Sequence, residues 1–238
     1  MIVTEHFVYI HTSRHGGSFI NRLLLEHIAS AKMLRYHGQL RDLPAAFRHL
    51  PVIGFVRNPW DWYVSMYFNY QAKRQYIFDI VTRGTDLPFH QTIERFLRLG
   101  ENSTDSVALR NALIEAAPRS LTPDVVLKRL RPGLVQQQFI DYPGGKGYYS
   151  WLLQQMHAVD GKLEGSFGRF ERLRVDLLSM LEQTGCLVPD AMLREIRSAP
   201  PINTSFRKRD YQEYYSPALR DLVAEKDNTL FEQFNYTF

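Results

Sequence analysis

The stretch Phe7-Val-Tyr-Ile-His-Thr-Ser-Arg-His-Gly-Gly-Ser-Phe-Ile-Asn-Arg-Leu-Leu-Leu25 passes from β-branched and aromatic residues, through a polar turn, into an amphipathic run. That order predicts a strand, a turn carrying Arg14 and two glycines, and a helix. The orphan N–H groups and the dipole at a helix N-terminus make such a junction an anion site. Gly16 and Gly17 would let the backbone close over a phosphate where a Cβ would obstruct it. The expectation is a phosphate ester held at the front of the chain.

Working outward, Ser18 to Ala29 places Phe19, Leu23, Leu24 and Ile28 at helical spacing. Lys32 to Tyr36 reads as a short strand, followed by the polar loop His37-Gly38-Gln39. Asp42 to Leu50 reads as a short helix with Asp42 as its N-cap. Val52-Ile-Gly-Phe-Val56 is the apolar run of a strand buried on both faces. In Arg57-Asn58-Pro59, Asn58 suits a cap and Pro59 the first position of an aromatic helix running to about Lys73. Alternating strands and helices over this stretch argue for a parallel α/β sheet with right-handed crossovers.

From about residue 75 to 161 the pattern becomes helical, with segments near Thr92–Leu99, Ser106–Ala116 and Thr122–Leu130 between Gly, Pro and polar breaks. A glycine-rich loop, Asp141 to Tyr149, leads into a helix at Ser150–His157. The core then resumes with a strand, Leu163 to Phe170, and a helix, Glu171–Thr184. The tail holds a basic loop, a helix from about Pro217 to Lys226, and an aromatic end expected to pack back on the core. The organisation expected is one domain, 1–238, with a helical insertion over about 75–161.

Composition narrows the classes. The chain has 238 residues, 45% hydrophobic and 23% charged, as in a globular protein with a substantial core. A net charge of +4 without a lysine or arginine tract gives no nucleic-acid signature. Cys186 stands alone, which excludes an intramolecular disulfide and suits a reducing compartment. No Cys/His cluster has zinc spacing, no apolar run is long enough to span a bilayer, and charged residues break up the N-terminus. A cytoplasmic protein without a metal is the expectation.

The first loop is not a Walker A loop, because Arg14 precedes Gly16-Gly17 and Ser18 follows them directly. Arg57 leaves the carboxyl end of a strand, where open α/β sheets bind ligands. Ser65 lies about two helical turns past the cap, so it can face the same side. A guanidinium and a hydroxyl there suit a terminal phosphate. The competing readings are an Arg57–Asp61 ion pair and an uninvolved helix serine.

Together these residues carry a family likeness. Arg14-His-Gly-Gly-Ser-Phe19 resembles the 5′-phosphosulfate loop of sulfotransferases that use PAPS (3′-phosphoadenosine 5′-phosphosulfate), usually Lys-Thr-Gly-Gly/Thr-Thr/Ser. Arg57-Asn-Pro through Ser65 is similar to their 3′-phosphate motif, with the family's interval from Arg to Ser. Gly168-Arg-Phe-Glu-Arg-Leu173 resembles the family's late strand-to-helix step, and the tail from Asn203 to Phe238 the end of its bacterial and carbohydrate branches. The likeness skips roughly residues 75–160.

The resemblance implies a P-loop-like three-layer α/β/α fold with a mainly parallel central sheet. It implies an O-sulfotransferase moving a sulfuryl group from PAPS to a hydroxyl of a carbohydrate or small metabolite. Arg14 takes the place of the family's lysine near the sulfate ester. His15, Gly16, Gly17 and Ser18 would hold the 5′-phosphate. Phe19 would stack on adenine or serve as a core residue, and Arg57 with Ser65 would grip the 3′-phosphate. Arg207 and Lys208, with Arg209, would add to that grip or be surface charge. His37, after the second strand, is the candidate general base, where some relatives carry His-Gly-His against His37-Gly38-Gln39 here; it would otherwise be a loop histidine hydrogen-bonded to backbone, and Glu94, His90, His11 and His15 are the poorer alternatives. A sulfuryl group carries less charge than a phosphoryl group, so no magnesium clamp is expected. The acceptor pocket would come from about 70–160, with Tyr70, Tyr76, Phe89, Tyr148, Tyr149 and Trp151 lining it or packing. The rival classes are a kinase with a degenerate P-loop and a non-catalytic protein that binds a phosphorylated ligand.

Overall fold

A computed structural model describes residues 1–120, 134–202 and 207–238. The expected helix Thr122–Leu130 and the segment Asn203-Thr-Ser205 lie outside the described residues. The chain divides into two compact units, Met1–Arg57 with Gln154–Thr204, and Asn58–Leu153 with Ser205–Phe238.

The first unit is α/β. Its strands are β1 (Ile2–Val3), β2 (Val8–Tyr9), β3 (Lys32–Met33), β4 (Val52–Val56) and β7 (Ser166–Arg169), in the order β3-β1-β2-β4-β7. A separate hairpin pairs β5 (Ala158–Val159) with β6 (Lys162–Leu163). β2 runs parallel to β4, and β4 parallel to β7, whereas β1 is antiparallel to both β2 and β3. The sheet is therefore mixed rather than mainly parallel. The difference arises at Thr4, whose hydroxyl accepts the N–H groups of His6 and Phe7 and turns the chain straight back from β1 into β2. Two-residue strands are too short to show a period, so β1 leaves no pattern to read.

On one face of the sheet Phe7, Tyr9, Ile53 and Phe55 share the core with helix α1 (Gly17–His27) through Phe19, Ile20, Leu23 and Leu24. Helix α8 (Leu173–Gln183) adds Leu177, Met180 and Leu181. Helix α9 (Asp190–Ser198) adds Met192 and Ile196. Each such side chain contributes about 1.5–3 kcal/mol by leaving water. The expected helix Asp42–Leu50 is instead two single 3-10 turns, Leu40–Asp42 and Ala45–Phe47. Asp42 lies inside the first turn and ion-pairs with Arg35 at 2.9 Å instead of capping a helix. Pro44 explains the break, since it has no N–H to donate and disfavours helical geometry at Leu43.

The second unit is helical in its described residues: α2 (Pro59–Lys73), α3 (Tyr76–Thr82), α4 (Phe89–Leu97), α5 (Thr104–Ala116), α6 (Gln136–Ile140), the start of α7 (Tyr148–His157), α10 (Pro217–Lys226) and α11 (Asn228–Phe234). Asn58 caps α2 by accepting the Trp60 N–H at 3.1 Å, with Pro59 at the first helical position. α2 is buried almost all round, from Pro59 to Tyr70, and packs against α3, α4 and α10. The aromatic end returns onto its first turn: Phe231 and Phe238 lie 4.3 and 5.1 Å from the Trp60 ring. Tyr70, Phe89, Tyr148, Tyr149 and Trp151 are buried core residues, with Tyr149 stacked on Trp62 at 4.4 Å. Among the described residues no helix is long and apolar enough to cross a membrane.

Candidate functional site

The site in the first unit is built from the carboxyl ends of two adjacent parallel strands. β2 and β4 pair in register Val8↔Val52 and Tyr9↔Ile53, and the Ile10 N–H continues the ladder to the Ile53 carbonyl at 3.0 Å. β2 runs on into the loop that ends at Gly16, and β4 ends at Arg57. At the head of α1 the Phe19 N–H returns to the Gly16 carbonyl at 3.0 Å. Gly16 takes a left-handed conformation (φ 77°), and so does Arg14 (φ 69°). For a non-glycine residue that backbone costs on the order of 1 kcal/mol, and it holds the turn in a shape an extended chain would not adopt.

The glycines have a reason other than the one their position in sequence suggests. A Cβ on Gly16 would lie 2.8 Å from Leu173 Cδ2, and one on Gly17 would overlap the His11 imidazole. The space is filled by the protein itself. Leu173 and Phe170 come from the late strand-to-helix step, where β7 turns through a 3-10 stretch, Phe170–Arg172, into α8.

Arg57 is 5% exposed. Its guanidinium lies over the Phe170 ring at 4.0 Å, and Nη1 donates to the Arg14 carbonyl at 3.0 Å. Arg14 thus holds Arg57 through its backbone carbonyl. His15, buried beside them, has its pKa held well below the usual imidazole value, first by burial and then by the neighbouring Arg57 and Arg14 charges. It is neutral at physiological pH, so the positive charge of this corner belongs to the two arginines.

His37 lies next to His11, with ring centroids 4.4 Å apart. β3 pairs antiparallel with β1, and β1 antiparallel with β2, so β3 runs the same way as β2 and delivers His37 to the same end of the sheet. His37 Nδ1 is 2.9 Å from the His11 carbonyl, which can only accept. Nδ1 therefore carries the proton, and in the neutral ring Nε2 carries the basic lone pair. Phe19 is 6% exposed within the core, with the Arg174 guanidinium 5.4 Å from its ring.

Ser65, Arg207 and Lys208 belong to the second unit. Ser65 is fully buried on α2. Arg207 ion-pairs with Asp61, the carboxylate considered as a partner for Arg57. Lys208 is exposed and donates its N–H to the Tyr214 hydroxyl at 3.2 Å, while the Arg209 guanidinium lies 5.9 Å from the same ring.

Sequence reasoning gave no role to Thr12 or His157, held His11 only as a poorer alternative for the base, and reached Phe170 only as part of the late strand-to-helix motif. Gly54 signalled His157: a glycine inside an otherwise apolar strand marks a close approach, and here the His157 imidazole fills the place of its side chain. Away from the loop, Glu26, His27 and Glu195 bring possible ligand atoms within 4.8 Å of one another. Arg22 and His27 both engage Glu195, which makes the group an ion-pair network. Comparison of the chain with protein-family models, with curated proteins and with solved structures gives no match.

Proposed function

We propose that the protein is a PAPS-dependent O-sulfotransferase acting on a hydroxyl of a carbohydrate or small metabolite. The observation that carries the reading is the bond from Arg57 Nη1 to the Arg14 carbonyl. It joins the two sequence elements of the resemblance at the carboxyl ends of neighbouring parallel strands, where α/β sheets take ligands. The donors assembled there suit a phosphate ester: the first N–H groups of α1, the Arg14 and Arg57 guanidiniums, and a loop turned by two left-handed residues.

In this reading the N–H groups of Gly17 and Ser18 hold the 5′-phosphate, and Arg14 stabilises the charge that grows on it as the sulfuryl group departs. Arg57 holds the 3′-phosphate. The resemblance adds Ser65, Arg207 and Lys208 to that phosphate, and they rest on it alone. His37 takes the acceptor proton at Nε2. The acceptor oxygen forms its bond to sulfur, the bond from sulfur to the 5′-phosphate oxygen breaks, and 3′-phosphoadenosine 5′-phosphate leaves with the electron pair. Phe19 serves the core, as its burial indicates.

Calorimetric titration with 3′-phosphoadenosine 5′-phosphate and, separately, with ATP plus magnesium tests the reading. The bisphosphate is expected to bind well below millimolar and ATP weakly. Equal affinities would sink the assignment in favour of a general nucleotide site or a kinase. His37→Ala is expected to keep bisphosphate affinity and lose sulfation by about 100-fold or more, the usual range for general-base removal. Unchanged turnover in a PAPS assay with a panel of sugar and metabolite acceptors would place the base elsewhere.

A further inference from the structure

Three of the bonds that hold the loop between β2 and α1 fall on alternate residues. The Ile10 N–H bonds the Ile53 carbonyl, the Arg14 carbonyl accepts from Arg57, and between them Thr12 Oγ1 meets His157 Nε2 at 3.1 Å. The outer tethers come from β4 or its end. The middle one comes from a residue 145 positions later in the chain.

His157 is able to hold Thr12 because its own ring is fixed. It occupies the place that a side chain at Gly54 would fill, on the face of β4 opposite Phe55. Phe167 packs against it with ring centroids 4.8 Å apart. His157 is fully buried and Thr12 is 1% exposed. A ring in a closed slot cannot follow a moving loop, so the hydrogen bond fixes the loop to the ring and not the reverse. Thr12 stands two residues before Arg14, whose left-handed backbone and carbonyl orient Arg57.

We infer that His157 is a positioning residue for the anion loop: seated over Gly54, it sets the path of residues 12–16 through Thr12, and so the aim of the α1 N–H groups. The inference rests on the reading of this loop as the phosphate-binding element.

The test uses Thr12→Val and His157→Leu, which remove the hydrogen bond, and Thr12→Ser and His157→Gln, which retain a polar partner. Amide hydrogen exchange over residues 11–18 is read in the ligand-free full chain, and 3′-phosphoadenosine 5′-phosphate affinity by calorimetry. Each bond-breaking variant is expected to speed exchange at Gly16–Ser18 and weaken the bisphosphate by about tenfold, as for one ordinary hydrogen bond. The double variant is expected to be no worse than either single one, because both remove the same bond. The retaining variants are expected to stay near the parent.

Additive single effects, or loop exchange unchanged by Thr12→Val, would overturn the inference. Should His157→Leu fail to fold, the Thr12→Val and Thr12→Ser pair carries the test alone. If the parent chain binds no bisphosphate while exchange shows the coupling, the proposed function fails and the positioning role stands. If the bisphosphate binds while exchange is uncoupled, the positioning role fails and the proposed function stands.

Discussion

Replacing Arg57 by alanine is expected to weaken binding of 3′-phosphoadenosine 5′-phosphate about 100-fold. In the sulfotransferase reading the guanidinium makes two charge-assisted bonds to a terminal phosphate from a buried position. Losing them removes about 3 kcal/mol, and each 1.4 kcal/mol is a factor of ten in affinity. Arg57→Lys is expected to recover only part of this, because a lysine keeps the charge but loses the planar fork, the contact with Phe170 and the bond to the Arg14 carbonyl. The alanine variant also gives up the cation–π contact, about 1–2 kcal/mol at a desolvated site. A thermal melt beside the titration separates that stability loss from the binding loss. If the alanine variant keeps full affinity for the bisphosphate while remaining folded, the second phosphate is not held by Arg57 and the proposed ligand is wrong.

The other large effect is expected in the second unit, at Asp227. This carboxylate is fully buried; it accepts the Tyr63 hydroxyl at 2.7 Å and the Ser150 N–H at 2.8 Å. The Ser150 N–H belongs to the first turn of α7, so a residue from the distant tail supplies an acceptor that a helix N-terminus otherwise lacks. Gly147 makes room, since a Cβ there would lie 2.5 Å from Oδ1. Burial pushes the Asp227 pKa up from 3.8 to about 6, against the opposing pull of the bonds from Ser150 and Tyr63.

A folded pKa above the unfolded one means that the folded chain prefers the protonated acid. The stability this group contributes is present below about pH 4 and is lost as the pH rises through about 6. For a shift of about two units the swing is on the order of 3 kcal/mol. Asp227→Asn cannot ionise and removes the slope. Trp60, Trp62 and Trp151 are the three tryptophans of the chain and all belong to this unit, so their emission during urea unfolding reports it directly. Between pH 4.5 and 7.5, with about a third of the swing already complete at the lower limit, the asparagine variant is expected to gain on the parent by about 2 kcal/mol. Asp227→Ala at pH 4.5 is expected to lose about 2–4 kcal/mol, because the buried Tyr63 hydroxyl and Ser150 N–H are left without their acceptor. Parallel pH curves for the parent and the asparagine variant would show that the carboxyl does not titrate as its burial requires.

Much of the first unit is legible in sequence because its signals are local. A β-branched run ending at two glycines, followed by apolar residues at helical spacing, produces β2, the loop and α1. Asn58-Pro59 starts α2 by a cap and a preset φ, neither of which needs a partner from elsewhere. The failures have equally physical causes. β1 is two residues long and exists only because Thr4 turns it onto β2, so the sheet is mixed where strand and helix alternation implied parallel pairing. The segment Asp42 to Leu50 has helical composition but contains Pro44, and two 3-10 turns result. α3 and α9 gave no expectation at all, although α9 buries Met192 and Ile196 in the core of the first unit.

For the candidate site, sequence alone determined where the charges stand. Arg14 and Arg57 follow the carboxyl ends of two strands, the glycines precede a helix, and His37 follows a short strand; each is set by neighbours within a few residues. Only the tertiary structure decided what those residues do to one another. It puts His11 and Leu173 where side chains at Gly17 and Gly16 would otherwise sit, and it gives His37 a carbonyl that fixes its proton on Nδ1. It lays Arg57 on Phe170 and keeps His15 neutral between cations. It also seats His157 over Gly54 to hold Thr12. The physical reason is one of range. Caps, turns and helical period act over a few residues, whereas burial, tautomer and packing depend on atoms brought together from opposite ends of the chain.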